Sequence, residues 1–460
     1  MSLLRNGLIA ITGTTGVGKS QLAIEIARAI NGEVINADAL QVYHGYPIIT
    51  NKVTDAEMLG VPHHLLGTVG PSTEYTVQDF ERDALLKINE IHQRDRVPVL
   101  VGGTNYYIQS AMFRTALVSS ISRDSEEPQG EVEREFETSM AAKTNQQLWE
   151  ELKAADPPMA EKWHVNNRRK VLRSLEILHT TGKKHSVWVE ESEMARKSAD
   201  TLRFPTLLFW LYADTPVLNT RLDNRVDDMI KRGMFGELQE LHRDMQNPDT
   251  LAPLGDDFTK GLTQAIGFRE FKPYLDAQTS DDSEKLKAQG IENMKRATRR
   301  YAKRQITWIR NKLLPESNAT LQKPTKAHAY VLDATDLKSW DANVKQKGID
   351  IARLFMKSAE LPDPKTLSGT AEKLLAEVKD KPNSILQWKR HRCDVCSKSK
   401  DESRSGEPYE VWLNGDDEYT QHMRSRQHKK NLKYKKRLAE AGDIQRKRIK
   451  TAGTDQESDH

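Results

Sequence analysis

The feature that most constrains this fold is a glycine-rich loop between a short apolar segment and an amphipathic helix. Leu8–Thr12 has the composition of a buried strand, and Ser20–Ile30 carries its apolar residues on one helical face. Between them, residues 13–20 read GTTGVGKS, the sequence of a P-loop. Backbone N–H groups of such a loop bind phosphate oxygens, so the segment predicts a phosphate site at the end of a parallel strand.

Each residue of this loop is a candidate for phosphate binding. Lys19 supplies a positive charge, and the Ser20 hydroxyl is of the type that holds Mg²⁺ beside a bound phosphate. The predicted site comprises Gly13, Thr14, Thr15, Gly16, Val17, Gly18, Lys19 and Ser20.

The carboxylate expected of an ordinary P-loop NTPase is missing from its usual place. The best candidate strand, Val97–Val101, ends in Gly102-Gly103-Thr104, and these glycines suggest close approach to a ligand. The nearest early carboxylate is Asp38, just after the strand Glu33–Asn36. The carboxyl ends of parallel strands line one crevice, so Lys19, Asp38 and Thr104 are predicted to face one ligand. The alternative is that Asp38 only caps a turn.

The alternation of strands and helices predicts an α/β fold, a parallel P-loop NTPase-like sheet covered on both faces. Leu117–Ser198 is charged and helical, Phe204–Tyr212 resumes as a buried strand, and Pro216–Gln246 reads as helix. Lys357–Asn383 is rich in charge and proline, which is typical of a linker. The predicted organisation is a core in two parts (1–115 and 201–345), a helical insertion (116–200), a linker (346–385), a zinc-finger module (386–440) and a basic, disordered tail (441–460).

Charge is distributed unevenly in a chain whose net charge is only +4. Residues 421–450 hold 12 Lys and Arg against two acids, and residues 291–311 hold seven against one. Such blocks favour a polyanionic partner, although either alone could be a solvated helix face. No apolar run approaches the roughly 20 residues of a membrane helix, and two cysteines exclude a disulfide scaffold. We therefore expect a soluble intracellular protein without a membrane partner.

Both cysteines belong to one pattern near the C-terminus. Cys393 and Cys396 are followed, after 25 residues, by His422 and then His428, a spacing that suits structural Zn²⁺ in a matrin-like finger. His422–Arg437 is predicted to be a basic helix that carries both histidines. The alternative is two unligated cysteines beside a basic helix. Lys433–Arg437 fits either RNA binding or a nuclear localisation signal.

Nine segments in consistent order resemble the tRNA dimethylallyltransferase family. They are GTTGVGKS (13–20), INADALQVY (35–43), IITNKVT (48–54), GVPHHLL (60–66), VLVGGTNYYIQS (99–110), NNRRKVLRSLEI (166–177), RLDNRVDDMIKRGMFGEL (221–238), QAIGFRE (264–270) and RYAKRQITWIR (300–310). The finger-like tail resembles eukaryotic, particularly fungal, members. One departure is Ala39, where the family usually has Ser.

The resemblance implies transfer of a dimethylallyl group from dimethylallyl diphosphate to N6 of the adenine at tRNA position 37, with Mg²⁺ at Ser20. By family analogy Asp38 is the base and Thr104 hydrogen-bonds at the same centre. Arg221 and Arg225 lie i,i+4 on one helical face, and one of them, we favour Arg225, should bind the diphosphate.

The resemblance also implies contacts to the anticodon stem-loop of tRNA. Gln41 resembles the residue that reads the extruded adenine, within the segment Asp38, Ala39, Leu40 and Gln41. Arg169, Lys170 and Arg173 match the segment that contacts the stem-loop, and Arg300 and Arg304 belong to the basic helix that attracts phosphates. The expected protein is a monomer in the cytoplasm, with nucleus and mitochondrion as alternatives. Two other functions fit parts of the chain, a P-loop kinase of a nucleoside or small molecule and a non-enzymatic RNA-binding adaptor.

Overall fold

A computed structural model describes residues 4, 6–114, 136, 139–198, 200–247, 258, 261–277, 282–321, 323, 325–378, 389–397, 410–437 and 440. The predicted tail at 441–460 lies outside these residues. Contacts divide the chain into two compact units. Unit 1 comprises residues 1–121 and 195–382, and unit 2 comprises residues 122–194 and 383–460.

The strands of the described residues fall into two sheets. They are β1 (Leu8–Gly13), β2 (Gly32–Asn36), β3 (His63–His64), β4 (Val97–Val101), β5 (Thr206–Tyr212), β6 (Ala327–Asp333), β7 (Arg390–Arg392) and β8 (Trp412–Asn414).

The α-helices of the described residues are numbered in chain order. They are α1 (Lys19–Ile30), α2 (Asp55–Met58), α3 (Val77–Gln93), α4 (Asn105–Met112), α5 (Asn145–Ala155), α6 (Pro157–Lys162), α7 (Arg168–Thr181), α8 (His185–Ser198), α9 (Thr215–Lys231), α10 (Met234–Gln246), α11 (Phe268–Asp276), α12 (Ser283–Trp308), α13 (Leu314–Asn318), α14 (Lys347–Met356), α15 (Gly369–Ala376), α16 (Gly415–Arg424) and α17 (426–437). Within the described chain, no helix combines the length and apolarity that crossing a bilayer requires.

Unit 1 is built around a six-stranded parallel sheet with the order β3-β2-β4-β1-β5-β6. Successive side chains of β1 enter different cores, because strand residues alternate between faces. Ile9 and Ile11 pack on the face covered by α1 and α14, whereas Leu8 and Ala10 pack on the face covered by α3 and α4. The predicted α/β fold class, a parallel sheet of P-loop type, is confirmed.

A third hydrophobic cluster joins the loop after β2 to the helices α9–α12. Val42 and Ile49 of that loop pack against Val226 and Met229 of α9 and Met294 of α12. The Glu237 carboxylate accepts hydrogen bonds from the backbone N–H groups of Ile48 and Ile49, in the turn at residues 47–51. This cluster fixes the helices that form the far wall of the pocket described below.

The segment predicted to be a linker, residues 346–385, differs most from expectation. Residues up to 378 belong to the described core, and within them α14 and α15 are helices. Ile351 and Phe355 of α14 are buried against the sheet, and Leu374 of α15 is buried on its other face. Alternating charges on the solvent side of these helices concealed their apolar sides. The rest of this predicted linker lies outside the described residues.

Two predicted helices are each divided. The segment Pro216–Gln246 is interrupted at Arg232–Gly233, where Gly233 has φ 99° and separates α9 from α10. The predicted helix His422–Arg437 is also divided. The backbone is extended at Ser425, which separates α16 from α17.

Unit 2 contains both the insertion and the C-terminal module. Leu148 and Leu152 of α5 pack against Met159 of α6 and Val171 of α7. β7 and β8 form an antiparallel pair that precedes α16. The side-chain amide of Asn414 donates to the backbone oxygen of Lys162 at 2.8 Å, so the two segments of this unit are in direct contact.

Candidate active site

The phosphate loop leaves β1 at Gly13 and enters α1 at Lys19. Gly18, directly before the helix, has φ 96°, a conformation that side chains disfavour. A Cβ there would also lie 2.7 Å from the ring of Trp340. The first N–H groups of α1 have no partners within the helix, so this end of the sheet presents donors suited to an anion.

Lys19 points back over its own loop. Its Nζ donates to the backbone oxygen of Thr14 at 2.8 Å. Burial lowers the pKa of Lys19 to about 8, an effect that the negative charge of Asp38 opposes and the positive charge of Arg225 reinforces. At neutral pH the ammonium group is therefore still charged, and it is held in a pocket where it has lost much of its water.

Asp38 and Thr104 meet across the ends of β2 and β4. The Thr104 hydroxyl accepts a hydrogen bond from Ala39 N–H at 2.9 Å, and Oδ1 of Asp38 accepts one from Leu40 N–H at 3.1 Å. Both groups line the pocket that contains the phosphate loop. The structure thus brings Lys19, Asp38 and Thr104 to one cavity.

The two glycines between β4 and Thr104 were predicted to allow a ligand to approach the backbone closely. The structure shows a different reason for glycine at these positions. A Cβ on Gly102 would lie 2.0 Å from the backbone oxygen of Ala37. A Cβ on Gly103 would lie 2.6 Å from the side-chain nitrogen of Gln305. Neighbouring protein atoms thus occupy the space that a side chain would need at both positions, and at Gly102 the obstructing atom is backbone.

Arg225 and Arg221 share a face of α9 but have different surroundings. Arg225 lines the pocket, and burial lowers its pKa to about 10 while the charge of Asp38 opposes that shift. Arg221 instead donates to the backbone oxygens of Ala334 and Thr335, which follow β6. The geometry therefore favours Arg225 as the cation that meets a bound anion.

The pocket has a volume of about 570 Å³ and is lined by both polar and apolar residues. The polar lining residues include those of the phosphate loop together with Asp38 and Arg225. The apolar lining residues include Val53, Leu66, Val226, Met229, Ile266 and Met294. Such a cavity accommodates a small ligand with an anionic head and a hydrocarbon tail.

Gln41 lines the same pocket, and its amide nitrogen is already engaged. Nε2 donates to the backbone oxygens of Thr50 at 3.2 Å and Asn51 at 2.9 Å. Neither bond uses the carbonyl oxygen Oε1. Any recognition of a base by Gln41 would therefore use the acceptor of its amide.

The basic helix α12 divides into paired and solvent-facing cations. Lys295 pairs with Asp227 of α9 at 2.7 Å, and Arg299 pairs with Asp223 of the same helix. Arg300 and Arg304 are exposed, and Arg304 also lines the mouth of the pocket. The paired residues fasten α12 to α9, which leaves the exposed ones for an external polyanion.

Within unit 2, the predicted RNA contacts lie on α7. Arg169, Lys170 and Arg173 are exposed. Nζ of Lys170 lies 4.4 Å from the centre of the Trp163 ring, and Arg173 pairs with Glu176 at 2.8 Å. The nearby Arg168, by contrast, binds backbone oxygens of the segment before α5 and is structural.

Unit 2 also contains the candidate metal centre. Ligand atoms of Cys393, Cys396, His422 and His428 all lie within 4.8 Å of one another. Nδ1 of His428 is 3.4 and 3.6 Å from the two sulfurs and 3.2 Å from Nε2 of His422. Tetrahedral Zn²⁺ with ordinary bond lengths requires separations of about 3.6 Å for sulfur–nitrogen pairs and about 3.3 Å for nitrogen pairs. The four residues fit a structural zinc ion.

A family model described as IPP transferase matches residues 41–312, more than half of the chain. The chain belongs to the IPP transferase family. The predicted family and its prenyltransferase class of enzyme are therefore confirmed.

Relatives of this IPP transferase extend the similarity over almost the whole chain. The tRNA dimethylallyltransferase of Saccharomyces cerevisiae is 37% identical over 436 residues, which cover 94% of each protein. The human tRNA dimethylallyltransferase is 33% identical over 443 residues, which cover 94% of this chain and 87% of the human protein. A crystal structure of a eukaryotic dimethylallyltransferase acting on tRNA superposes with a TM-score of 0.73 at 35% identity, covering 96% of this chain and all of that one.

The residues that sequence reasoning did not identify include Tyr301 and Gln305 of the pocket and Trp340 beside the phosphate loop. Tyr301 and Gln305 line the cavity from α12, and Trp340 covers the phosphate loop. Burial and the charge of Asp38 raise the pKa of Tyr301, and its hydroxyl donates to the backbone oxygen of Gly103 at 3.4 Å. The basic composition of residues 300–310 obscured the inward face of α12, although buried Ala302 and Ile309 follow a helical period.

Proposed function

We propose that this IPP transferase transfers a dimethylallyl group from dimethylallyl diphosphate to N6 of the adenine at tRNA position 37 and releases diphosphate. The observation that carries the proposal is one pocket that is lined by an anion-binding loop and also by Asp38 and Thr104. Family membership supports the reaction class.

The polar and the apolar residues of the pocket match the two halves of the donor. The diphosphate would lie on the N–H groups of residues 16–20, with the charges of Lys19 and Arg225 beside it. The dimethylallyl group would lie against apolar residues such as Met229 and Met294. Negative charge develops on the diphosphate as its bond to the allylic carbon breaks, and prearranged cations stabilise that charge most.

The chemistry of the acceptor amine gives Asp38 the role of the base. As N6 forms its bond to the allylic carbon, the amine must lose a proton, and a carboxylate can accept it. Oδ1 of Asp38 is held by Leu40 N–H, so the other oxygen is the group to receive that proton. Thr104 accepts from Ala39 N–H, which turns its own O–H toward other acceptors at this centre.

Mg²⁺ is part of the proposal through Ser20, which lines the pocket beside Lys19. The pocket offers Mg²⁺ one hydroxyl and the donor's phosphate oxygens, a combination of oxygen ligands that this ion accepts together with water. When bound there, the ion would neutralise charge on the diphosphate.

An adenine stacked in an anticodon loop must leave the stack to reach this pocket. We propose that Gln41 reads the extruded base through Oε1, next to backbone groups of Ala39 and Leu40. Arg300 and Arg304 would attract RNA phosphates at the pocket mouth. Arg169, Lys170 and Arg173 of α7 would supply further contacts to the anticodon stem-loop.

The function is tested with purified protein, dimethylallyl diphosphate, Mg²⁺ and a tRNA that carries adenine at position 37. We expect nucleoside mass spectrometry to detect N6-dimethylallyladenosine, with one diphosphate released for each transfer. ATP turnover in place of diphosphate release would favour a kinase, and RNA binding without either product would favour an adaptor.

The pH dependence of donor capture follows from Lys19. Its ammonium loses a proton as pH rises through about 8, so kcat/KM for the donor should fall about tenfold per pH unit above that value. Steady-state rates between pH 6 and 9.5 measure this. Burial also lowers the pKa of Lys52 to about 8, so Lys52→Arg serves as the control. The alkaline decrease should persist in that variant, and its disappearance would assign the titration to Lys52.

The zinc proposal predicts metal bound to the protein as purified. Elemental analysis should find about one zinc per chain, and Cys393→Ala should abolish it because a thiolate ligand is lost. His391→Gln is the matched control, since His391 lies in the same module but pairs with Asp416. Zinc retained by Cys393→Ala would contradict the assignment.

We further propose that the protein acts as a cytoplasmic monomer. Among the described residues, a single chain supplies every residue that lines the pocket. Lys433–Arg437 is proposed to bind RNA rather than to direct nuclear import.

A further inference from the structure

Gln305 is a buried polar residue on a helix whose outer face is basic. Its side chain is 4% exposed, whereas Lys303 and Arg304 before it are exposed. A buried amide needs partners for both its oxygen and its nitrogen. The partners of Gln305 therefore indicate what this position does.

The amide of Gln305 connects the two loops that form the pocket. Its Oε1 accepts a hydrogen bond from Thr15 N–H at 2.9 Å, within the phosphate loop. Its Nε2 donates to the backbone oxygen of Gly103 at 2.9 Å, next to Thr104. The glutamine side chain is long enough to reach both loops. Its amide can accept the hydrogen bond from Thr15 and donate the one to Gly103. A glutamate could not donate to Gly103 and would add negative charge to an anion site.

The backbone of α12 at Gln305 is also held by a hydrogen bond. Nδ2 of Asn105 donates to the backbone oxygen of Gln305 at 3.4 Å, and Oδ1 of Asn105 accepts from the Thr12 hydroxyl at 2.5 Å. The Gln305 amide packs closely on Gly103, since a Cβ there would lie 2.6 Å from Nε2 of Gln305. Asn105, the first residue of α4, thus joins strand β1 to helix α12 at Gln305.

We propose that Gln305 is a positioning residue that fixes the distance between the diphosphate-binding loop and the Asp38–Thr104 pair. Thr15 N–H is occupied by this bond, so the anion is held by the later amides of the loop. The inference rests on the proposed prenyl transfer. Misplacing the two sides by about an ångström can lower the rate by about 100-fold, because transfer requires near in-line alignment of the donor and acceptor.

The test uses Gln305→Met, which keeps the volume and removes both hydrogen bonds. We expect single-turnover transfer to tRNA to fall about 100-fold. Calorimetric binding of dimethylallyl diphosphate with Mg²⁺ should change by less than about threefold, because the loop keeps its remaining donors. A readout that does not depend on activity is hydrogen–deuterium exchange of the backbone amides of residues 13–20. In Gln305→Met, the amide of Thr15 should exchange faster than in the wild-type protein. Gln289→Met, at an exposed position of the same helix, is the matched control and should alter none of these.

A second variant keeps the inference testable if Gln305→Met does not fold. Gly103→Ala should displace the Gln305 amide and reproduce the rate loss, and the double variant should be no slower than the slower single variant. Transfer within threefold of wild type in folded Gln305→Met, or donor affinity lost as severely as rate, would overturn the positioning role. An inactive wild-type protein would instead reject the proposed function.

Discussion

Asp38→Asn is expected to reduce prenyl transfer about 1,000-fold while leaving tRNA affinity unchanged, because general-base catalysis contributes about 10²- to 10⁴-fold. Asparagine can still accept the hydrogen bond from Leu40 N–H that orients Asp38. It cannot accept the proton of N6. Single-turnover rates and filter binding of tRNA measure the two quantities separately.

The negative charge of Asp38 also favours the protonated form of Lys19, so the comparison should be made near pH 6.5, where that ammonium stays charged. Removing a carboxylate from an anion site should leave donor affinity equal or higher. Asp95→Asn is the matched control, since Asp95 is exposed and its φ of 52° suits asparagine. A loss of less than tenfold in Asp38→Asn would exclude Asp38 as the base.

Arg225→Met is expected to lower kcat/KM for dimethylallyl diphosphate by about 10²- to 10³-fold, the range for loss of one prearranged donor at a developing negative charge. The guanidinium of Arg225 lines the pocket, where burial strengthens its interaction with an anion. Steady-state rates with the donor varied at saturating tRNA measure the effect, and thermal unfolding verifies the fold.

Arg221→Met is the matched comparison, one helical turn away on the same helix. Arg221 donates to backbone oxygens after β6, so its loss should lower the unfolding temperature and change kcat/KM by less than about fivefold. An equal catalytic loss in the two variants would contradict the division of roles between them. A greater loss in Arg221→Met would assign the diphosphate contact to Arg221.

The centre of the sheet could be predicted from sequence because its signals are local. The strand, loop and helix of residues 8–30 combine an apolar run, glycines and a helical period, and each feature agrees with the others. The convergence of Lys19, Asp38 and Thr104 followed from a general property of parallel sheets. The observed pocket contains all three.

The parts that escaped prediction depend on contacts between distant residues. β3 has two residues, too few for a periodic signal. Helices α14 and α15 have an alternating-charge surface, and only their packing against the sheet identifies them as core. Gln305 reads as one polar residue in a basic run, and its significance lies in bonds to residues 290 and 202 positions away.

A crystal structure of the protein with tRNA and an unreactive thiolo analogue of dimethylallyl diphosphate would test the central claim most directly. The account predicts the diphosphate on residues 16–20 and the N6 atom of adenine 37 within hydrogen-bonding distance of Asp38, with the allylic carbon between them. A complex in which Asp38 lies far from N6, or in which the analogue occupies another cavity, would contradict it.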